Sequence, residues 1–267
     1  MKRFCLLFIC VCFLTKGWTQ FSVSHTPVGH SHNDYYQNQP FQTAFEAGMG
    51  SIEADIFLWE SNLYVAHTFF EIDETCTFDA LYLQPLVFAV RSGKAYPLQL
   101  MLDVKTRSEA TLQEIIRQLN RYPDIFSENI AAKNKKILIT IVISGNRPSP
   151  EKWIDYPVFI QFDGRPDENY TPEQWNRVGL ISDNLDNYKN WWGNNILCPT
   201  TCSRLKKVLD FVHYKGKKMR FWKTPDSPDA WKVLSDLGVD FINTDSPNAL
   251  KEFFESKARR MILAQNR

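Results

Sequence analysis

Short apolar runs alternate along the chain with longer stretches in which apolar residues recur every three or four positions. An apolar run of four to eight residues reads as a strand buried on both faces. The three-to-four spacing reads as a helix with one buried stripe. Strands are therefore expected over 28–30, 52–58, 98–103, 137–143, 158–162, 178–181, 218–222 and 239–242. Helices are expected over 41–47, 78–91, 108–121, 201–212, 228–237 and 247–264. The stripe is clearest over 108–121, where Leu112, Ile115, Ile116 and Leu119 share one side. Gly48, Gly216 and Gly238 stand where helices would close. Eight strands separated by helical segments predict an α/β fold closed as a (β/α)8 TIM barrel, and 267 residues suit it. An open doubly wound sheet is the alternative, but no glycine-rich phosphate loop follows the first strand.

Polar residues break this pattern at chosen places. The second strand, Ser51-Ile52-Glu53-Ala54-Asp55-Ile56-Phe57-Leu58, carries two acids two residues apart, hence on one face. A core strand tolerates such a pair when a cation sits between them, because an unpaired buried carboxylate is costly. Asp103 ends another apolar strand, with Lys105 two residues on. Glu53, Asp55 and Asp103 are hard oxygen donors suited to one divalent cation, Mg2+ or Ca2+. The competing reading pairs them with Lys105 and Arg147 as salt bridges. His30, Asp55, Asp103, the Ser144-Gly145-Asn146-Arg147 stretch, Asp163-Gly164-Arg165, Asp183-Asn184, Trp222 and Asp245 all fall at or just after strand ends. In a barrel those ends meet on one face, where active sites form.

His30 and His67 are the candidate acid–base pair, since imidazole takes and gives protons near neutral pH. The short apolar run Leu63-Tyr64-Val65-Ala66 would aim His67 back over the barrel mouth. His30-Ser31-His32 also fits the metal pattern of amidohydrolase barrels. That chemistry calls for further histidines on later strands, and none ends a strand from the third to the eighth. His30 and His32 stay open as alternatives for the acid–base role. Trp222 and the pair Tyr35 and Tyr36 would wall a pocket, or simply pack.

The ends and the charge add context. Residues 1–20 run from basic (Lys2, Arg3) through an apolar core to a polar close, the pattern of a secretory signal peptide. A secreted or periplasmic location and a single domain over 21–267 are the matching expectations. Without Lys2, Arg3 and Lys16 the formal balance changes from 31 − 30 = +1 to 28 − 30 = −2. A nearly neutral body has no basic face for nucleic acid. No basic amphipathic helix argues for membrane contact, which stays open. A monomer is expected. Cys198 and Cys202 would either bridge within one loop or pack as small apolar residues, with Cys76 apart.

In combination these motifs resemble the glycerophosphodiester phosphodiesterase and phosphatidylinositol-phospholipase-C-like superfamily. The resemblance rests on Gly29-His30, Ile52-Glu53-Ala54-Asp55, Val65-Ala66-His67 and Leu102-Asp103-Val104-Lys105. It extends to Arg220-Phe221-Trp222-Lys223-Thr224-Pro225 and to the stretch from Gly238 to Pro247, and covers about residues 27 to 250. The His-Ser-His-Asn-Asp-Tyr opening, the Ser-Gly-Asn-Arg-Pro stretch and the Asp-Gly-Arg triplet are similar to the subgroup that includes the fungal altered inheritance of mitochondria proteins. The resemblance implies a barrel with one divalent cation held by Glu53, Asp55 and Asp103, and His30 with His67 as the acid–base pair. It implies that Lys105 and Trp222 contact phosphate and close the pocket; His32, Asn33 and Arg147 are further candidate substrate contacts. The chain departs from the usual family pattern in three places, one of them Asp103, which stands where that family often has Glu. Gly-His-Ser-His replaces His-Arg-Gly, and Gln39-Pro40-Phe41-Gln42 replaces the Pro-Glu-Asn-Thr stretch. Arg147 or Arg165 would then stand in for the missing arginine. The function so implied is metal-dependent hydrolysis of a small-molecule or lipid-headgroup phosphodiester. The alternatives are a catalytically silent barrel that binds a phosphate headgroup or glycan, and a metal-dependent amidohydrolase.

Overall fold

A computed structural model of the chain describes residues 28–126, 139–188 and 197–265. The expected signal segment, residues 137–138 of the fourth expected strand, and Trp191 and Trp192 lie outside the described residues. Eight parallel strands close into a barrel. They are β1 (Val28–Ser31), β2 (Ser51–Trp59), β4 (Leu98–Val104), β5 (Ile139–Gly145), β6 (Ile160–Gly164), β7 (Val178–Asn184), β8 (Met219–Trp222) and β9 (Phe241–Thr244). Closure comes from β1, which pairs with β2 on one side and β9 on the other. Every expected strand is present, with ends displaced by up to three residues.

Three features lie outside the expected pattern. β3 (Asn62–Val65) runs antiparallel beside the long strand β2, joined to it by Glu60 and Ser61. Both turn residues have positive φ, 46° and 65°, as a two-residue turn between twisted strands requires. The expected helix over 78–91 is divided: a widened turn over Asp79–Leu83 precedes the α-helix Gln84–Arg91. Pro85 near the junction explains this, because proline offers no N–H to a regular helical ladder. A short helix, Pro172–Trp175, is stapled by a reciprocal Thr171–Gln174 cap.

The helices follow ordinary start and stop chemistry. Pro199, Pro228 and Pro247 open their helices, where a missing N–H costs nothing. Gly238, at φ 94°, closes Pro228–Leu237 in the left-handed region. The main core lies between helices and barrel. A second apolar cluster, Met101, Val142, Leu180 and Phe241, plugs the barrel interior. Polar residues share the interior with that plug, and strand alternation carries them upward to the C-terminal mouth.

Candidate active site

β2 turns Ser51, Glu53 and Asp55 to the barrel interior, and all three are buried. Asp103, at the end of β4, lies beside Asp55 in register. Each of Glu53, Asp55 and Asp103 offers a carboxylate oxygen within 4.8 Å of the others. The two oxygens of Asp55 are differently placed. Oδ2 faces Lys105 Nζ at 3.1 Å, Tyr35 Oη at 2.9 Å and His67 Nδ1 at 3.2 Å. Oδ1 is shut off from solvent with no hydrogen-bond partner among the described residues. Asp103 repeats the arrangement, with Oδ2 on Lys105 at 3.1 Å and Oδ1 buried without a partner among the described residues. Such orphaned anionic oxygens are costly, and a divalent cation satisfies them. The residues present therefore fit a hard cation held by Glu53, Asp55 and Asp103.

The electrostatics agree. Burial pushes the Asp103 carboxyl up to about 6, against the pull of Lys105 and with help from Glu53 and Asp55. Burial raises Asp55 as well, again opposed by Lys105. For Lys105, burial is outweighed by Asp103 and Asp55, which hold its ammonium above the usual range.

The hairpin delivers His67. Ile56 pairs with Val65 and Ala66 N donates to Asp55 O at 3.3 Å, so the chain after β3 returns to the mouth beside Asp55. The imidazole is half exposed. Because Asp55 Oδ2 only accepts, Nδ1 carries the proton of the neutral ring and Nε2 the lone pair. Glu71 fixes the next turn by accepting from His67 N and Thr68 N, both at 3.2 Å.

His30 is placed otherwise than expected. Its side chain is fully buried inside the barrel. Nε2 meets Glu53 Oε2 at 2.7 Å and Nδ1 meets Ser51 Oγ at 2.8 Å. Burial first, then Arg220, lowers its pKa to about 4, so the ring is neutral and both nitrogens are engaged. In this arrangement His30 orients Glu53. Arg220, on β8, completes that network, donating to Glu53 Oε2 at 2.7 Å and to Asn243 Oδ1 at 2.7 and 2.9 Å. Burial raises the Glu53 carboxyl, but Arg220 and His30 overcome it and hold the group well below the usual carboxylate range. His32 follows the end of β1, two residues on from His30 and so on the same side by alternation, and is partly exposed. Its Nδ1 donates to Asp245 Oδ1 at 2.7 Å. Gln37 Nε2 holds the Asp245 carbonyl and Asp226 Oδ2 the Asp245 N–H, both at 2.9 Å.

Other expected contacts divide. Lys105 reaches the acid cluster, and Asn33 sits 2.9 Å from the Tyr35 hydroxyl beside it. Trp222 shares the inward strand face of Arg220 at the upper end of β8. Arg147 does not reach that cluster as a free cation: Nη2 is bonded to both oxygens of Glu168, at 2.7 and 2.8 Å, and the guanidinium stacks over Trp153. Arg165 is likewise held, by Asp163 at 2.6 Å and Ser182 at 3.0 Å. The Ser-Gly-Asn stretch serves the acids instead. Gly145 has φ 65°, and a Cβ there would stand 1.9 Å from Asp103 Oδ1. Asn146 Nδ2 donates to the carbonyls of Lys105 and Thr106 at 3.1 and 3.3 Å. His213 is bonded to Asp240 at 2.8 Å, remote from the acids in the fold. The cluster of cation-binding type among the described residues is all carboxylate, unlike the histidine-rich set of an amidohydrolase.

Comparison with known proteins follows this layout. Residues 19–95 match the AIM6-like phosphodiesterase domain, and residues 218–248 match the glycerophosphoryl diester phosphodiesterase family. The first match holds Glu53, Asp55 and His67; the second holds Arg220, Trp222 and Asp245. Together these partial matches make the chain similar to the glycerophosphodiester phosphodiesterase and phospholipase-C-like superfamily, and within it to the AIM6-like subgroup. It is 27% identical over 270 residues to the altered inheritance of mitochondria protein 6 homolog of Arthroderma benhamiae, covering 84% of this chain and 83% of that one. It is 28% identical to the altered inheritance of mitochondria protein 6 of Kluyveromyces lactis, covering 86% and 73%. The fold is similar to that of a putative glycerophosphoryl diester phosphodiesterase from Agrobacterium tumefaciens, with TM-score 0.53 and 12% identity over 88% of this chain and 99% of that one. It is also similar to a glycerophosphodiester phosphodiesterase from Parabacteroides distasonis, with TM-score 0.50 and 16% identity over 88% and 96%. These structural likenesses bear on the barrel, and the superfamily fold agrees with the one expected from the strand pattern.

Proposed function

We propose that this chain is a divalent-cation-dependent phosphodiester hydrolase acting on a glycerophosphodiester or phospholipid-type substrate. The observation that carries the proposal is the convergence of two buried, unpartnered carboxylate oxygens, Asp55 Oδ1 and Asp103 Oδ1, beside Lys105 and His67. Glu53, Asp55 and Asp103 would hold the cation, which supplies positive charge to the phosphate oxygens when bound. Lys105 adds a point charge from the same wall. His67 Nε2 takes the proton from the attacking hydroxyl. His32, its Nδ1–H held by Asp245, protonates the departing oxygen. Where the substrate carries a hydroxyl next to the phosphate, that attack closes a cyclic phosphate first.

The lip of the mouth supports an amphiphilic substrate. Phe70 is 97% exposed on the rigidly capped turn that follows His67, with Phe69 and Tyr36 exposed nearby. An apolar tail would find these rings beside the cleavage site. The basic-apolar-polar order of residues 1–20 supports export.

The test is hydrolysis of bis(p-nitrophenyl) phosphate, glycerophosphodiesters and lysophospholipids by wild type, with and without EDTA, and by His67→Ala and His32→Ala. EDTA abolishes turnover, and His67→Ala lowers it by about 10²–10⁴-fold. His32→Ala is impaired on alkyl leaving groups and nearly normal on p-nitrophenolate, which needs no proton. Cation binding with no turnover of any diester would favour the silent binding barrel.

A further inference from the structure

We propose that Tyr35 is a positioning residue that fixes both Asp55 and His67, an inference that rests on the phosphodiesterase reading above. Its half-buried hydroxyl lies 2.9 Å from Asp55 Oδ2, 2.9 Å from Asn33 Oδ1 and 3.1 Å from His67 Nδ1. A phenol has one proton to donate. That proton is shared between Asp55 Oδ2, the stronger acceptor, and Asn33 Oδ1, and the phenol oxygen accepts from His67 Nδ1–H. One side chain thus does two things. It helps saturate Asp55 Oδ2, so that the carboxylate keeps Oδ1 turned to the cation position. It also gives His67 Nδ1 a second acceptor, so that Nε2 carries the lone pair.

The loop that carries Tyr35 is built for this. Asp34 is fully buried, and accepts from Ser31 Oγ at 2.7 Å, Phe41 N at 2.6 Å and Tyr82 Oη at 3.1 Å. Asn33 turns the chain in the left-handed region, φ 46° and ψ 44°, a conformation asparagine tolerates. Phe41 closes the loop at φ 62° and is fully buried. A fold that accepts two such residues within nine positions is holding the segment between them in one shape. The Asn-Asp-Tyr motif therefore reads as turn, anchor and positioning group.

The experiment is a double-mutant cycle of Tyr35→Phe with His67→Ala. Mg2+ calorimetry and 15N spectra of the His67 ring accompany it. Tyr35→Phe keeps the ring packing and removes only the oxygen. The expected result is a fall in kcat of about 10- to 100-fold with KM little changed, shrinking to less than about threefold when His67 is already alanine. The Nδ1–H tautomer of His67 loses population in neutral Tyr35→Phe, and Mg2+ affinity falls. Additive kcat losses in the cycle would overturn the inference, as would an unchanged tautomer with unchanged Mg2+ affinity. Should wild type turn over no diester, the phosphodiesterase reading fails, while the spectra and calorimetry still decide whether Tyr35 holds these groups.

Discussion

Replacing a proposed cation ligand should make this protein more stable when the cation is withheld. Asp103 is the case to examine. Its carboxyl is moved from 3.8 to about 6 by burial, with Lys105 opposing and Glu53 and Asp55 adding to the rise. A carboxyl raised in the folded state stabilises the fold below its unfolded value, and that contribution is lost as pH rises through the folded value. For Asp103 the loss falls between about pH 4 and pH 6. At about 1.4 kcal/mol per pH unit the displacement amounts to at most about 3 kcal/mol at neutral pH. The side chain is 19% exposed, so solvent screening trims rather than cancels this. Asp103→Asn has the same shape and no charge to bury. In EDTA at pH 7.5 it should melt about 5–10 °C above wild type. Mg2+ at a hundred times its dissociation constant should recover about 2.7 kcal/mol for wild type and nothing for the variant. The assay is thermal unfolding from pH 4 to pH 8, with EDTA and with Mg2+. A variant less stable than wild type in EDTA at pH 7.5 would refute the reasoning, because the acid would then be stabilising without a cation.

Three further outcomes follow from the same contacts. Arg220→Leu strips Glu53 of its buried counter-charge and should cost about 3–5 kcal/mol in urea unfolding, whereas a loss below about 1 kcal/mol would mean the ion pair is not buried as described. Gly145→Ala should displace Asp103, since the added carbon meets Oδ1 at 1.9 Å; Mg2+ affinity by calorimetry is expected to fall at least about tenfold, or the cation does not use that oxygen. Phe70→Asp should leave hydrolysis of a short soluble diester unchanged and lower hydrolysis of the same headgroup in micelles, and equal effects on both would remove the lipid-facing role.

The barrel was legible because strands buried on both faces are apolar runs, and the strand-end acids stand out against them. Glu53 and Asp55 were visible for the same reason: alternation put two carboxylates on one inward face. The depth of a side chain in the barrel was not legible. His30 and His32 share a face, but which of them reaches the mouth depends on strand stagger, which pairs Ser31 with Ile52 and Thr244. Arg220 left a signal that went unused, a lone cation inside the apolar run Met219–Trp222. Alternation would have pointed it inward at the acids. Arg147 stands at a strand end as its position suggests, but Glu168 reaches it from the following loop, and no local pattern foretells that pairing. The β2–β3 hairpin was muted because Glu60 and Ser61 turn the chain without a glycine.

The most direct test is 31P NMR of a glycerophosphodiester incubated with cation-stripped protein, recorded before and after Mg2+ or Ca2+ is added, in wild type and Asp55→Asn. The diester signal should stay constant without cation, and convert to a cyclic phosphate or monoester signal when the ion is supplied to wild type only. Conversion by the stripped protein, or by Asp55→Asn at the wild-type rate, would contradict a phosphodiester-cleaving centre built on Glu53, Asp55 and Asp103.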